Sequence, residues 1–198
     1  GNELFFYDYD YIKNDKKSYH KSAGVPDEFK ELVIVLPYND NDTFTMIEEH
    51  KNELAMVIIE PSQGSNPRDD MQEFLLKLRN ITLENNIVLC FDEMITGFRV
   101  ALGGAQEYYG IEADIVTYGK TIGAGMPIGV VGGKNKFMKI IKGECGSLPV
   151  FMGGTFSANP MSMASSKALL KYLISNKDDV YGNLKLNANY IKTSINEY

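Results

Sequence analysis

Only two cysteines occur in the 198 residues of this chain. Cys90 lies inside an apolar run and Cys145 in a glycine-flanked stretch. They form no CxxC pair, which excludes a disulfide framework and a cysteine-based metal motif. The two histidines, His20 and His50, are far apart in polar surroundings, the pattern of surface side chains rather than metal ligands. Basic residues are outnumbered, 20 Lys and Arg against 26 Asp and Glu, giving a net charge of −6. That balance is the reverse of a nucleic-acid-binding face. The local cluster Lys134, Lys136, Lys139 and Lys142 reads as a solvated helix surface rather than a phosphate site. No apolar run approaches the ~20 residues needed to span a bilayer, and no signal-peptide pattern opens the chain. The expectation is a soluble, cytoplasmic protein with neither a membrane nor a nucleic-acid partner.

A hydrophobic content of 44% suits one sizeable core. Residues 1–23, rich in Tyr, Asp, Asn and Lys, show no apolar period and read as irregular. Residues 32–37 (LVIVLP) read as a short strand closed by proline, followed by a helix over about 43–53 and a buried strand over 54–60. Met71, Phe74, Leu75 and Leu78 recur at the spacing of one helix face, which predicts an amphipathic helix over 69–84 with Asp69 and Asp70 at its N-terminal dipole. Further strands are expected at 87–92, 114–118 and 128–132. A long helix carrying Met161, Met163, Ala164, Ala168, Leu169 and Tyr172 follows, its methionines read as core. Alternating strands and helices predict an α/β fold with a mostly parallel sheet flanked by helices. No internal repeat or low-complexity linker is present.

Two of the apolar runs end in a charge. NIVLCFDEMITGF carries Asp92 and DIVTYGKTIGAGMPIG carries Lys120, each where a buried parallel strand should stop, and the C-terminal edge of such a sheet is where open α/β folds bind ligands. An amine at a strand end can attack a carbonyl to form a Schiff base, the more readily when partly desolvated. A carboxylate beside a pyridine nitrogen keeps it protonated, which pyridoxal phosphate needs to act as an electron sink. The plainer alternatives are a solvated lysine and, for the Asp92-Glu93 pair, a helix cap. The glycines of GKTIGAGMPIGVVGG let the backbone pass close to a ligand. They lack the third glycine of a dinucleotide fingerprint, which disfavours a Rossmann reading.

The segments VIIEP, FDEMITGFRVALGGAQEYYGI, DIVTYGKTIGAGMPIGVVGG and GGTFSANPMSMA, in that order, resemble the class III, fold-type I pyridoxal-phosphate aminotransferases, most closely the branch that includes glutamate-1-semialdehyde aminomutase. The resemblance covers about residues 24–175. It implies that Lys120 is the Schiff-base lysine and that Asp92 holds the pyridine nitrogen. It implies that Thr155 reaches across a homodimer interface to the phosphate of the neighbouring subunit's cofactor, so that the active site is shared between chains. Relatives acting on ω-amines carry glutamate and glutamine where this chain has Ser65 and Ile95. The apolar Ile95 resembles the aminomutase branch, whereas Ser65, the candidate contact to the cofactor's ring hydroxyl, stands where that branch has asparagine, with Asn66 adjacent.

The resemblance further implies a mixed sheet, with IGVVGG as the antiparallel strand, and a longer enzyme of which this chain is a fragment. Residues 1–175 would be part of the pyridoxal-phosphate-binding large domain, and 176–198 a helical lead toward a small C-terminal domain. The activity implied is amino-group transfer between small-molecule amine and carbonyl substrates, or its intramolecular aminomutase form. Lys120 would move the proton between substrate and cofactor carbons. Two rivals are a nucleotide-binding α/β module, which does not account for the Asp92–Lys120 spacing, and a catalytically silent interaction fragment, whose mark would be the loss of one of those residues.

Overall fold

The computed structural model describes residues 7–10, 15–20, 24, 26–143, 146 and 149–197; Cys145 lies outside them. The chain divides into two compact units at the Leu54–Ala55 boundary. In the first, β1 (Tyr7–Asp10) and β2 (Asp15–His20) pair antiparallel, with Tyr7 opposite His20 and an irregularity between Tyr9 and Asp10. Over 7–10 and 15–20 these strands correct the reading of an irregular segment. Tyr-Asp-Tyr-Asp alternates with the two-residue period of a strand, a signal that a search for apolar periodicity passes over. A 3-10 helix spans Asp27–Leu32, and 33–37 carry no strand where one was expected. A β ladder needs a partner, and none pairs with this run among the described residues. α1 (Asp42–His50) is shorter than predicted.

The second unit holds a sheet of order β3 (Met56–Ile59), β4 (Val88–Glu93), β5 (Ile115–Gly119) and β6 (Gly129–Gly133). The first three strands are parallel, and β6 runs antiparallel to β5 with Gly119 opposite Gly129. The mixed sheet and the choice of IGVVGG as its antiparallel member are therefore observed. α2 (Gln72–Glu84) buries Phe74, Leu75 and Leu78, with Met71 at its N-cap also buried, as the spacing requires. It begins three residues later than predicted, and Asp70 accepts from Arg68 with both carboxylate oxygens (2.7 and 2.5 Å) in the loop before it. At the N-terminal edge of the sheet, buried Asp114 accepts from Arg79 Nη1 (2.9 Å), Lys134 Nζ (3.1 Å) and the Leu89 N–H (3.0 Å). Those three bonds join α2, β4, β5 and the end of β6.

α3 (Gly104–Tyr109) has no counterpart among the expected elements. α4 (Asn135–Met138) is a single turn in which Lys136 lies 4.6 Å from the centre of the Phe137 ring. α5 (Pro160–Ser175) starts at Asn159, whose side chain accepts from the Met161 and Ser162 N–H groups, and α6 (Lys177–Asn196) follows. The expected methionine core is corrected here. Met161 and Met163 are exposed, and α5 buries Ser162, Ser166 and Leu173 instead. Ser162 Oγ donates to Pro127 O (2.8 Å) and Ser165 Oγ to Ala124 O (3.4 Å), so small side chains let the helix lie close on the backbone after β5. Among the described residues no helix is long and apolar enough to cross a membrane.

Candidate active site

Because β3, β4 and β5 are parallel, their C-terminal ends share one edge, and three of the four candidate residues lie there, Asp92 at the end of a strand and Ser65 and Lys120 in the loops that leave it. Asp92 and Glu93 close β4, and neighbours on a strand face opposite sides of the sheet. Asp92 is half-buried. Its Oδ1 accepts from the Met94 N–H (3.0 Å) and from the hydroxyl of Thr117 on β5 (3.2 Å). Two donors on one oxygen fix the carboxylate plane, and among the described residues they leave Oδ2 to meet a donor from outside. Cys90, one strand period earlier, is buried. Burial first, and then the charge of Asp92, push its thiol up to about 11.

Lys120 directly follows β5 and opens a 3-10 turn, Lys120–Gly123. Its φ of +47° is left-handed, unusual for a residue with a side chain. Gly119 before it is extended, and the Met94 side chain occupies the place a Cβ would take there. Lys120 is exposed. The partial desolvation expected of it is not supplied by the described residues, because the left-handed turn carries it off the end of the sheet.

The loop after β3 is drawn to the same edge. Ile95 packs on Gly64 so closely that a Cβ there would collide with it, and the Gly64 N–H donates to Glu60 Oε2 (3.1 Å). Ser65, next in that loop, is exposed. Thr155 lies on the exposed turn 155–158 that leads into α5, in a stretch that also exposes Phe151, Met152 and Phe156.

Two residues outside the predicted site set, Glu93 and Arg99, hold this edge together. Glu93 is fully buried. Its carboxylate accepts from Thr96 Oγ1 (3.0 Å), the Ala105 N–H (2.5 Å) and the Gln106 N–H (3.2 Å). The helix-cap alternative weighed for the Asp-Glu pair thus holds for Glu93, which serves the first turn of α3 across the sheet from Asp92. Gly104, at φ +69°, is required there, since a Cβ would run into the Glu93 carboxylate. Arg99 is the second, donating from Nε to Ile95 O (2.9 Å) and from Nη2 to Thr121 Oγ1 (3.1 Å). The Tyr118 ring lies 5.1 Å from that of Phe98. Its hydroxyl pKa is raised, by burial first and then by the charge of Glu93.

The family model for class-III aminotransferases matches residues 16–197. The glutamate-1-semialdehyde 2,1-aminomutase of Methanosarcina acetivorans is 42% identical over 89% of this chain and 41% of its own length. That of a Hydrogenobaculum species is 49% identical over 77% of this chain and 36% of its own. An omega-transaminase structure from Sphaerobacter thermophilus matches with a TM-score of 0.72 at 38% identity, over 79% of this chain and 36% of that one. A transaminase structure with PLP bound gives 0.71 at 34% identity, over 81% and 39%. The chain thus spans about two-fifths of the length of these relatives. Its mixed sheet flanked by helices is the architecture of those transaminase structures, and with the match running from residue 16 to residue 197 the chain belongs to the class-III aminotransferase family.

Proposed function

We propose that this chain carries the cofactor-anchoring half of the active site of a pyridoxal-phosphate-dependent enzyme that moves an amino group between a small amine and a carbonyl compound. The observation that supports it most is the arrangement at the ends of the adjacent strands β4 and β5: a carboxylate with one oxygen held by two donors and the other open on one, and a lysine that begins the loop after the other. That donor set fits a protonated pyridine nitrogen at Asp92 Oδ2 and a carbonyl at Lys120 Nζ. When bound, the cofactor supplies an electron sink for the pair left behind as a substrate carbon loses its proton. Lys120 Nζ would be the amine that holds the cofactor, and it would take up the proton lost by the substrate carbon and return one. Asp92 Oδ2 holds the proton on the ring nitrogen, with Thr117 and the Met94 N–H keeping the carboxylate in place. Ser65 is the candidate contact to the ring hydroxyl.

Thr155 serves the phosphate of a partner subunit's cofactor in a homodimer. The stretch around it, 151–156, exposes Phe151 (90%) and Phe156 (81%), apolar surface suited to burial against a second copy. Residues 1–175 belong to the cofactor-binding domain and 176–198 lead out of it. The intramolecular aminomutase reaction is a second reading, favoured by the relatives of that name and by the apolar Ile95 on the loop after Asp92.

The test is Asp92→Asn in the intact protein. Cofactor should still be taken up, while its half-reaction with a good amino donor slows by orders of magnitude because the ring nitrogen loses its proton. A half-reaction at the unaltered rate would remove Asp92 from this role.

A further inference from the structure

Lys120 sits in a backbone conformation that surrounding contacts must hold, since a left-handed non-glycine residue is intrinsically disfavoured. On its N-terminal side it is fixed by β5, whose last residue pairs with Gly129. On its C-terminal side the 3-10 turn has two backbone bonds of its own, from the Ala124 N–H to Thr121 O (3.0 Å) and from the Met126 N–H to Gly123 O (3.0 Å). The loop after β4 grips both sides. Gly97 and Phe98 lie against Tyr118, two residues before Lys120, and a Cβ on Gly97 would stand 2.6 Å from the Tyr118 ring. Arg99 takes the other side, one N–H on its own loop at Ile95 O and another on Thr121, the residue after Lys120. The loop is itself anchored from α6, where the Tyr181 hydroxyl donates to Phe98 O (3.0 Å).

We infer that Arg99 is a positioning residue for Lys120: its guanidinium straps the loop that follows Asp92 to the turn that Lys120 opens, and so fixes the direction in which the amine leaves the sheet. The planar fork is what the task needs. One end holds Ile95 O while the other reaches Thr121, and a lysine ammonium of the same charge cannot present two donors in that fixed geometry. The strap also links the two proposed cofactor contacts mechanically, since Ile95 lies three residues beyond Asp92. That last point rests on the proposed function; the strap itself does not.

The experiment compares Arg99→Ala, Arg99→Lys, Thr121→Val and Thr121→Ser in the intact protein. The first reading is hydrogen exchange in the cofactor-free form. Removing the strap should speed exchange of the Ala124 and Met126 amides by about three- to tenfold, the range for losing one hydrogen bond of ordinary net strength. Amides in β3 and β4 should be unchanged, Thr121→Ser should restore the slow rate, and Arg99→Lys should not. The second reading is the rate at which added pyridoxal 5'-phosphate becomes covalently attached, which should fall in the same three variants and recover in Thr121→Ser. Should Arg99→Ala fail to fold, the Thr121→Val and Thr121→Ser pair carries both readings. Unchanged exchange at Ala124 and Met126 in Thr121→Val would overturn the strap, as would a uniform increase across the sheet that serine does not reverse. A wild-type protein that never attaches pyridoxal phosphate would overturn the proposed function instead, leaving exchange to decide the strap.

Discussion

Glutamine at position 93 would separate two adjacent carboxylates that the strand sends to opposite faces. Glu93 is fully buried, its Oε2 accepting from Thr96 Oγ1 and the Ala105 N–H and its Oε1 from the Gln106 N–H. Glutamine keeps the shape and one acceptor. In its better orientation the amide oxygen takes the place of Oε2 and the amide NH2 faces the Gln106 N–H, so that neither of these two donors finds an acceptor, at a cost of at least about 1–3 kcal/mol. The two bonds that survive lose their charge assistance, which roughly halves them and adds about 1 kcal/mol. Glu93→Gln should therefore destabilise by about 2–4 kcal/mol, read as a fall in the urea midpoint at unchanged slope. Exchange at the Ala105 and Gln106 amides should rise before that of β4. Asp92→Asn, the same chemical change one residue earlier, should cost far less stability, because Asp92 is half-buried and uses one oxygen. A Glu93→Gln protein within about 0.5 kcal/mol of the parent, the ordinary spread for surface substitutions, would refute the assignment of Glu93 as the buried anchor of α3.

Asp114 gives the pH dependence. Burial would raise its carboxyl, but the Leu89 N–H, Lys134 and Arg79 outweigh that and hold it below the ordinary value of 3.8. Its contribution is complete above that value and disappears as pH falls through the lowered native one, so Asp114→Asn should flatten the acid limb of a stability–pH curve and cost about 3–5 kcal/mol at pH 7 by stranding buried Arg79; an acid limb unchanged in the variant would contradict this. For Thr155, mixed dimers are decisive. With Thr155→Val in one chain and Lys120→Ala in the other, the remaining lysine site should bind cofactor normally, whereas a doubly substituted chain paired with wild type should weaken the wild-type chain's own site. The opposite pattern would place the Thr155 contact within its own subunit.

The sequence was most legible where one physical signal dominated. The apolar stripe from Met71 to Leu78 located α2, and the runs before Asp92 and Lys120 located β4 and β5 and put both charges at one sheet edge. Signals failed where a partner decides the outcome. Residues 33–37 are apolar enough for a strand but find no neighbour to pair with among the described residues, and the α5 methionines are helical but face outward because the close contact is made by serines. Glu93 and Arg99 were unreadable for a related reason. Their partners, the α3 N–H groups in one case and Ile95 O and Thr121 in the other, become partners only once the loops after β4 and β5 have folded together. The left-handed backbone of Lys120 left no trace at all, since no glycine marks that position.

The most direct measurement is borohydride reduction of the intact protein after incubation with pyridoxal 5'-phosphate, followed by peptide mapping by mass spectrometry. Reduction fixes the lysine–cofactor link irreversibly, so the modified peptide reports which amine forms it. The expected result is one dominant phosphopyridoxyl adduct on Lys120, absent from Lys120→Ala. An adduct spread over the surface lysines, or a single dominant one at another position that survives Lys120→Ala, would contradict the assignment of Lys120 as the cofactor-bearing residue.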